Sequence, residues 1–221
     1  MSMTHTDLRS EICRIGQSLY ARGYVHASAG NISVKLPEGG FLITPTDACL
    51  GDLQPEALAH VDESGTQISG DRASKTLRLH QDIYAAEPTA TCVIHTHASH
   101  LVQLSIQGVW SAQDIVPPIT PYFVMKVGHV PQIPYAVPGA LTVAAQVTAA
   151  IQRSQRDEKP IRAVMLERLG PVVWHASLAQ ASAVLEELEE TAKLWLATNC
   201  RATPLSDEAI QDLRDAFGAR W

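Results

Sequence analysis

The chain has 221 residues, a net charge of −6, 46% hydrophobic residues and only 18% charged ones. A chain this apolar can offset its ordering entropy by burial, which excludes an intrinsically disordered protein. The mildly acidic balance, with no basic block, excludes nucleic acid or an anionic membrane as main partner, and no segment reaches the ~18 uninterrupted apolar residues of a membrane span.

In chain order, Leu8, Ile12, Ile15 and Leu19 fall at helical spacing, and Gly23 ends that helix. Two alternating stretches, 31–36 and 41–44, flank Pro37-Glu38-Gly39-Gly40 as a hairpin, and 60–62 with 66–69 form a second, shorter one. Ser74 is the expected N-cap of a helix carrying Leu77, Leu79, Ile83 and Tyr84. Residues 91–96 form an apolar strand that runs into His-Ala-Ser-His (97–100) and a helix to about residue 107. The proline-rich stretch 117–138 is expected to be loop and edge strand. A helix over 141–151, a hairpin of 162–166 with 171–174, a long helix over 177–197 and a short one over 207–217 complete the chain. Hairpins mixed with helices, without strict βαβ order, imply an α/β sandwich with a mainly antiparallel sheet in one domain spanning 1–221.

Four cysteines (Cys13, Cys49, Cys92, Cys200) lie far apart with no C-x-x-C pair, and read as reduced thiols of a cytoplasmic protein. The low charge suggests surface hidden in subunit contacts. Trp110, Trp174 and Trp195 read as core or interface residues, and the acidic run 186–190 as a solvated helix face.

Histidine carries the chemical signal: nine in all, with His95, His97 and His100 within six positions. Two residues apart on a strand, His95 and His97 point to one face and can share a divalent ion, with His100 as a further candidate. Cys92 points to the opposite face. Three turns rich in short donors, Ser28-Ala29-Gly30-Asn31, Thr44-Pro45-Thr46-Asp47 and Ser74-Lys75, suit an oxyanion or phosphate.

Ser-Ala-Gly-Asn-Ile-Ser-Val (28–34), Leu-Ile-Thr-Pro-Thr (42–46), Ser-Gly-Asp…Ser-Lys (69–75), Leu-His…Ile-Tyr (79–84) and His-Thr-His-Ala-Ser-His (95–100) occur in order. Thr-Pro-Tyr (120–122), Ile-Pro-Tyr (133–135) and Gly-Pro-Val-Val (170–173) follow. This series resembles the class II aldolase/adducin family, and within it the 3-oxo-tetronate 4-phosphate decarboxylases. The resemblance implies a three-layer α/β/α sandwich around a mainly antiparallel sheet, a cytoplasmic homotetramer and one divalent metal per subunit. Zn²⁺ comes first, with Mn²⁺ or Co²⁺ as alternatives. It further implies His95 and His97 as metal ligands, and Ser28, Gly30, Asn31, Thr46, Ser74 and Lys75 as holders of the phosphate of a small sugar acid.

Three positions depart from the family pattern. Thr76 stands where a catalytic Glu is usual, Leu169 where the third metal His is usual, and Asp47 where a Gly usually follows the phosphate-binding Thr. His129 is therefore the expected third ligand and Asp47 the expected replacement carboxylate, with Thr76 and Tyr122 as further candidates for catalytic positions. The expected reaction is loss of CO₂ from 3-oxo-tetronate 4-phosphate, giving dihydroxyacetone phosphate through a metal-stabilised enediolate. The alternatives are an aldolase or epimerase acting on a ketose phosphate such as fuculose phosphate, and a non-catalytic adducin-like module.

Overall fold

Thr4 opens the first helix with a capping box. Its hydroxyl accepts from the Asp7 amide at 3.2 Å, and the Asp7 carboxylate accepts from the Thr4 amide at 2.9 Å. Two donors that a helix start leaves unpaired are thereby satisfied. Helix α1 (His5–Ala21) buries Ile12, Ile15 and Leu19, the stripe their spacing predicts. Gly16 shares that side, where a Cβ would stand 2.6 Å from the Leu50 carbonyl oxygen; glycine is what permits the close approach to the 50–52 turn.

The computed structural model describes residues 4–221. Its strands are β1 (Asn31–Lys35), β2 (Phe41–Ile43), β3 (Ala59–Val61), β4 (Gln67–Ser69), β5 (Cys92–His95), β6 (Gln132–Ile133), β7 (Ala163–Leu166) and β8 (Gly170–His175). They form one central sheet in the order β4-β3-β2-β1-β5-β8-β7-β6. The pairs β1–β2, β1–β5, β2–β3, β3–β4 and β7–β8 are antiparallel, and β6–β7 is parallel. The remaining helices are α2 (Leu77–Ala86), α3 (Ser99–Gln107), α4 (Leu141–Arg156), α5 (Leu178–Ala197) and α6 (Asp207–Phe217). This is the mixed α/β class with a mainly antiparallel sheet. The proline-rich stretch supplies the two-residue end strand β6, as expected, together with a π-helical turn at Phe123–Val127 that its composition did not announce.

The chain divides into two compact units. The first takes residues 1–97 and 174–182, and its core includes Ile12, Leu19, Ile32, Leu42, Ile83 and Ile94. The second takes residues 98–173 and 183–221, with Leu101, Leu104, Val147, Val164, Leu185 and Leu188 inside. Trp174 and Trp195 are buried, whereas Trp110 is exposed.

Two sequence expectations need correction. Ser74 is not the N-cap of α2: its carbonyl accepts from the Leu77 amide at 3.1 Å, so a separate turn precedes the helix and Thr76 takes the cap position without a side-chain bond. The acidic run is not a uniformly solvated face, because Glu189 is 2% exposed. One oxygen of Glu189 accepts from the His100 amide at 3.0 Å and contacts His100 Nδ1 at 2.7 Å. The other accepts from the Leu101 amide at 3.1 Å. Ala98 stands at the N-cap of α3 and has no capping side chain, so a carboxylate from α5 performs the capping and meets the positive end of the α3 dipole.

Removing that carboxylate strands the two amides in a buried place. Glu189→Ala is expected to destabilise the protein by about 2–4 kcal/mol, against about 1 kcal/mol or less for Glu190→Ala on the exposed side. Urea unfolding of both variants checks this, and equal losses would refute the cap.

Candidate functional site

The pairing of β1 with β5 sets Asn31 opposite His95 and Ser33 opposite Val93. Residues directly opposite in an antiparallel pair share a face, so Asn31, Ser33 and His95 project to the same side. Asn31 and His95 are both buried. Gly30 leads into β1 with φ +83, and a Cβ there would lie 2.8 Å from both the His95 carbonyl oxygen and Val25 Cγ1. A side chain at position 30 would push β1 away from the end of β5.

Strand β5 ends at His95, so His97 lies beyond it rather than on it. Even so, the two rings meet edge to face, with centroids 5.1 Å apart. Imidazoles that share a tetrahedral ion have ring centres about 5 Å apart, given metal–nitrogen bonds near 2.1 Å. The pair therefore fits a divalent ion. Burial first, and then the neighbouring His26, hold His97 below its ordinary value, which favours the neutral form a ligand needs. The His26 ring lies 6.2 Å from that of His97. Cys92 faces away, as expected: its thiol donates to the His175 carbonyl at 3.3 Å, and burial pushes it up to about 12.

Main-chain and hydroxyl bonds join the three anion-binding turns. Thr44 Oγ1 accepts from the Ile32 amide at 3.1 Å, which ties the first turn to the second. The Thr46 amide donates to the Arg72 carbonyl at 2.9 Å and the Ser74 amide to the Thr44 carbonyl at 3.2 Å, which ties the second to the third. Asn31 is buried, Gly30, Thr46 and Ser74 are half-buried, and Ser28 and Lys75 are exposed. Ser74 and Thr76 hydroxyls lie 3.0 Å apart. Asp47 is exposed, takes φ +58, and lines a cavity of about 440 Å³ with Asp52, Asp71 and Arg72. Glycine adopts that left-handed conformation freely, and Asp is among the few other residues that tolerate it.

The other sequence-derived candidates lie in the second unit. His100 is committed through Nδ1 to Glu189. His129 Nδ1 is 2.9 Å from both carboxylate oxygens of Asp114, its ring stacks on Trp221 at 4.4 Å, and its buried Nε2 has no partner among the described residues. A carboxylate on one ring nitrogen is how metal-ligating histidines are commonly oriented. Tyr122 is exposed. Among the described residues no three His, Cys, Asp or Glu side chains stand together as a ready metal set.

Sequence reading missed a buried network in the first unit. Ser33 Oγ lies 2.7 Å from His80 Nδ1 and 2.7 Å from the Tyr84 hydroxyl. His80 is fully buried, and burial first, then the charge of His95, lower it to about 3. The available signal was the i, i+4 spacing of His80 and Tyr84, which puts both on one face of α2.

A model of the class II aldolase and adducin N-terminal domain matches residues 10–196. A 3-oxo-tetronate 4-phosphate decarboxylase of Cupriavidus necator is 54% identical over 226 residues, covering 99% of each chain. One from Escherichia coli K12 is 42% identical over 85% of each. An L-fuculose phosphate aldolase of another E. coli strain is 30% identical, covering 88% of this chain and 86% of its own. Among solved structures, a putative aldolase/epimerase/decarboxylase from E. coli is 38% identical with a TM-score of 0.87, covering 95% of this chain and 99% of that one. An L-fuculose 1-phosphate aldolase with a TM-score of 0.79 and 23% identity, covering 99% of this chain and 98% of that one, shares the fold.

His80 gives a pH dependence of known sign. Its folded value of about 3 lies below the ordinary 6.5, so at acid pH the unfolded chain binds a proton that the folded chain refuses. Stability is expected to fall as pH drops from 6.5 toward 3, by up to about 1.4 kcal/mol per pH unit from this group. Urea midpoints against pH should show a shallower fall in His80→Leu. An unchanged slope would show that His80 is not the group responsible.

Proposed function

The chain belongs to the class II aldolase and adducin family, and from that premise we propose a carbon–carbon lyase that decarboxylates 3-oxo-tetronate 4-phosphate to dihydroxyacetone phosphate and CO₂. The observation that carries the choice of reaction is the 54% identity, over 99% of both chains, to a decarboxylase of that substrate. The geometry agrees with it.

Thr46, Ser74 and Asn31, joined through Thr44 and the 72–74 segment, offer short donors to the phosphate, with Ser28, Gly30 and Lys75 at its edge. These contacts orient the substrate so that its keto and hydroxyl oxygens lie toward His95 and His97. A divalent ion held by His95 and His97, with His129 as the third ligand, would supply Lewis acidity toward the developing negative charge; Zn²⁺ is proposed, with Mn²⁺ or Co²⁺ as alternatives. The bond to the carboxylate carbon breaks, CO₂ leaves, and its bonding electron pair stays on the substrate as an enediolate. A proton added at the carbon that lost the carboxylate gives dihydroxyacetone phosphate.

No base has to remove a carbon-bound proton first, so the absence of a carboxylate at Thr76 leaves the bond-breaking step intact. Aldol cleavage, by contrast, needs a base for the substrate hydroxyl, and threonine cannot serve near neutral pH. Asp47 is proposed as the replacement carboxylate and Tyr122 as a catalytic hydroxyl, with His100 holding its helix in place through Glu189. Residues 1–221 are proposed to act as one functional domain in a cytoplasmic homotetramer. The exposed apolar side chains Tyr122, Tyr135, Val137 and Leu141 support a subunit face, and among the described residues no helix is long and apolar enough to cross a membrane.

Incubation with 3-oxo-tetronate 4-phosphate should release dihydroxyacetone phosphate and CO₂; no product above a His95→Ala control removes the reading. Elemental analysis of protein purified without chelator tests the ligands separately. His129→Ala is expected to lose most of its metal, and unchanged metal content would end the assignment of His129.

A further inference from the structure

Asp114 is buried, and its backbone is fixed in place by Ser111: its amide donates to Ser111 Oγ at 2.9 Å and its carbonyl accepts from the Ser111 amide at 2.9 Å. The carboxylate so placed accepts from the Val130 amide at 3.2 Å, and both of its oxygens lie 2.9 Å from His129 Nδ1. The His129 ring is held by its face as well as by this edge. It stacks on Trp221 with centroids 4.4 Å apart and planes 26° from parallel, and Trp221 is backed by Phe123 at 5.5 Å. All of these residues belong to the second unit.

A carboxylate can only accept, so a neutral His129 ring paired with it carries its proton on Nδ1. Nε2 is then a bare lone pair, and it is buried with no partner among the described residues. The surroundings thus satisfy one ring nitrogen and leave the other sheltered and unused. Folding alone asks for less, because an asparagine at 114 could still accept from the Val130 amide through its carbonyl oxygen. Its NH₂ group would then turn toward Nδ1, which would have to accept, and the ring proton would move to Nε2. Aspartate and asparagine differ little in shape. What the carboxylate decides at this place is the tautomer of His129.

We propose that Asp114 is a positioning residue for His129, holding the ring as the Nδ1–H tautomer so that Nε2 has a lone pair to give to a divalent ion, while Trp221 fixes the plane of the ring. The inference rests on the reading of His129 as the third metal ligand. A neutral ring protonated on Nε2 has no lone pair to offer there. Carboxylates that orient ligating histidines commonly change metal affinity by about ten- to a hundredfold when removed.

Nitrogen NMR spectra of the full chain freed of metal, with the His129 signals identified by their loss in His129→Ala, should show Nδ1 protonated and Nε2 bare. The opposite tautomer in wild type overturns the proposal, whether or not any Asp114 variant folds. Asp114→Asn should reverse the tautomer and weaken zinc binding about tenfold or more, measured by competition with a chromophoric chelator. Asp114→Glu, which keeps the carboxylate, should bind zinc more tightly than Asp114→Asn. A merely structural aspartate predicts the reverse order, because asparagine fits its space and glutamate does not. Trp221→Leu should keep the tautomer and weaken zinc binding less than Asp114→Asn does. Folded Asp114→Asn that binds zinc as tightly as wild type overturns the proposal, and if His129→Ala loses zinc at the same time, His129 stays a ligand. Unchanged zinc binding in His129→Ala removes the ligand reading itself, and the role of Asp114 with it.

Discussion

The register of β1 against β5 is the constraint on which the site depends. Side chains alternate along a strand, so a slip of one residue would turn Asn31 and Ser33 away from the face that carries His95. Three local features pin that register. Gly30 lets the start of β1 approach the His95 carbonyl, Thr44 binds the Ile32 amide from the neighbouring segment, and Ser33 is bound from above by two residues of α2. The first two are also parts of the proposed anion site, and the third stands on the His95 face of the sheet. The residues that align the strands are therefore the ones that bring the donors together, and the site is built into the sheet rather than placed on it.

Two buried titratable groups show how differently the chain treats polarity. Glu189 is an ionisable carboxylate in the interior, yet its oxygens are met by two main-chain amides and an imidazole nitrogen, so its charge completes the start of α3. Its burial is repaid locally and needs no functional explanation. His80 is buried as deeply, with Nδ1 paired to Ser33 and Nε2 without a partner among the described residues. The difference is one of satisfaction rather than depth, and it is hydrogen-bond satisfaction that sets what a buried polar group costs.

Local periodicity made much of the fold legible. The stripe of Ile12, Ile15 and Leu19 gave α1, the Gly-rich turn at 39–40 gave the first hairpin, and Val184, Leu188 and Ala192 gave the buried side of α5. What stayed hidden depended on a partner far away in the chain. Glu189 looks like any acid in an acidic run until α3 is set against it, 89 positions earlier. His80 sits in a helical pattern that accounts for it as filler, and its bond to Ser33 spans 47 positions. Ser74 misled for the opposite reason: a serine before a helical pattern is a strong local signal, but the Ser74 carbonyl closes a turn before the helix begins. In the site, the spacing of His95 and His97 carried over although His97 left the strand, because two residues of extended chain keep the same facing whether or not they are paired.

The three departures from the family pattern are physically unlike one another. Position 47 is governed by its backbone: with φ +58 it accepts Gly, Asn or Asp readily and most other residues poorly, so Asp47 is explained by conformation before any chemistry is asked of it. Position 169 lies in the tight turn between β7 and β8, where its amide donates to the Leu166 carbonyl at 3.1 Å and the side chain has no part in closing the turn. The turn is therefore closed by the main chain, and its geometry does not depend on which side chain stands at 169. Position 76 places an uncharged hydroxyl within hydrogen-bond distance of Ser74 Oγ. A threonine cannot serve as a base near neutral pH, and the proposed decarboxylation does not ask it to. A threonine at 76 thus weighs against proton abstraction by this position and is compatible with the proposed reaction.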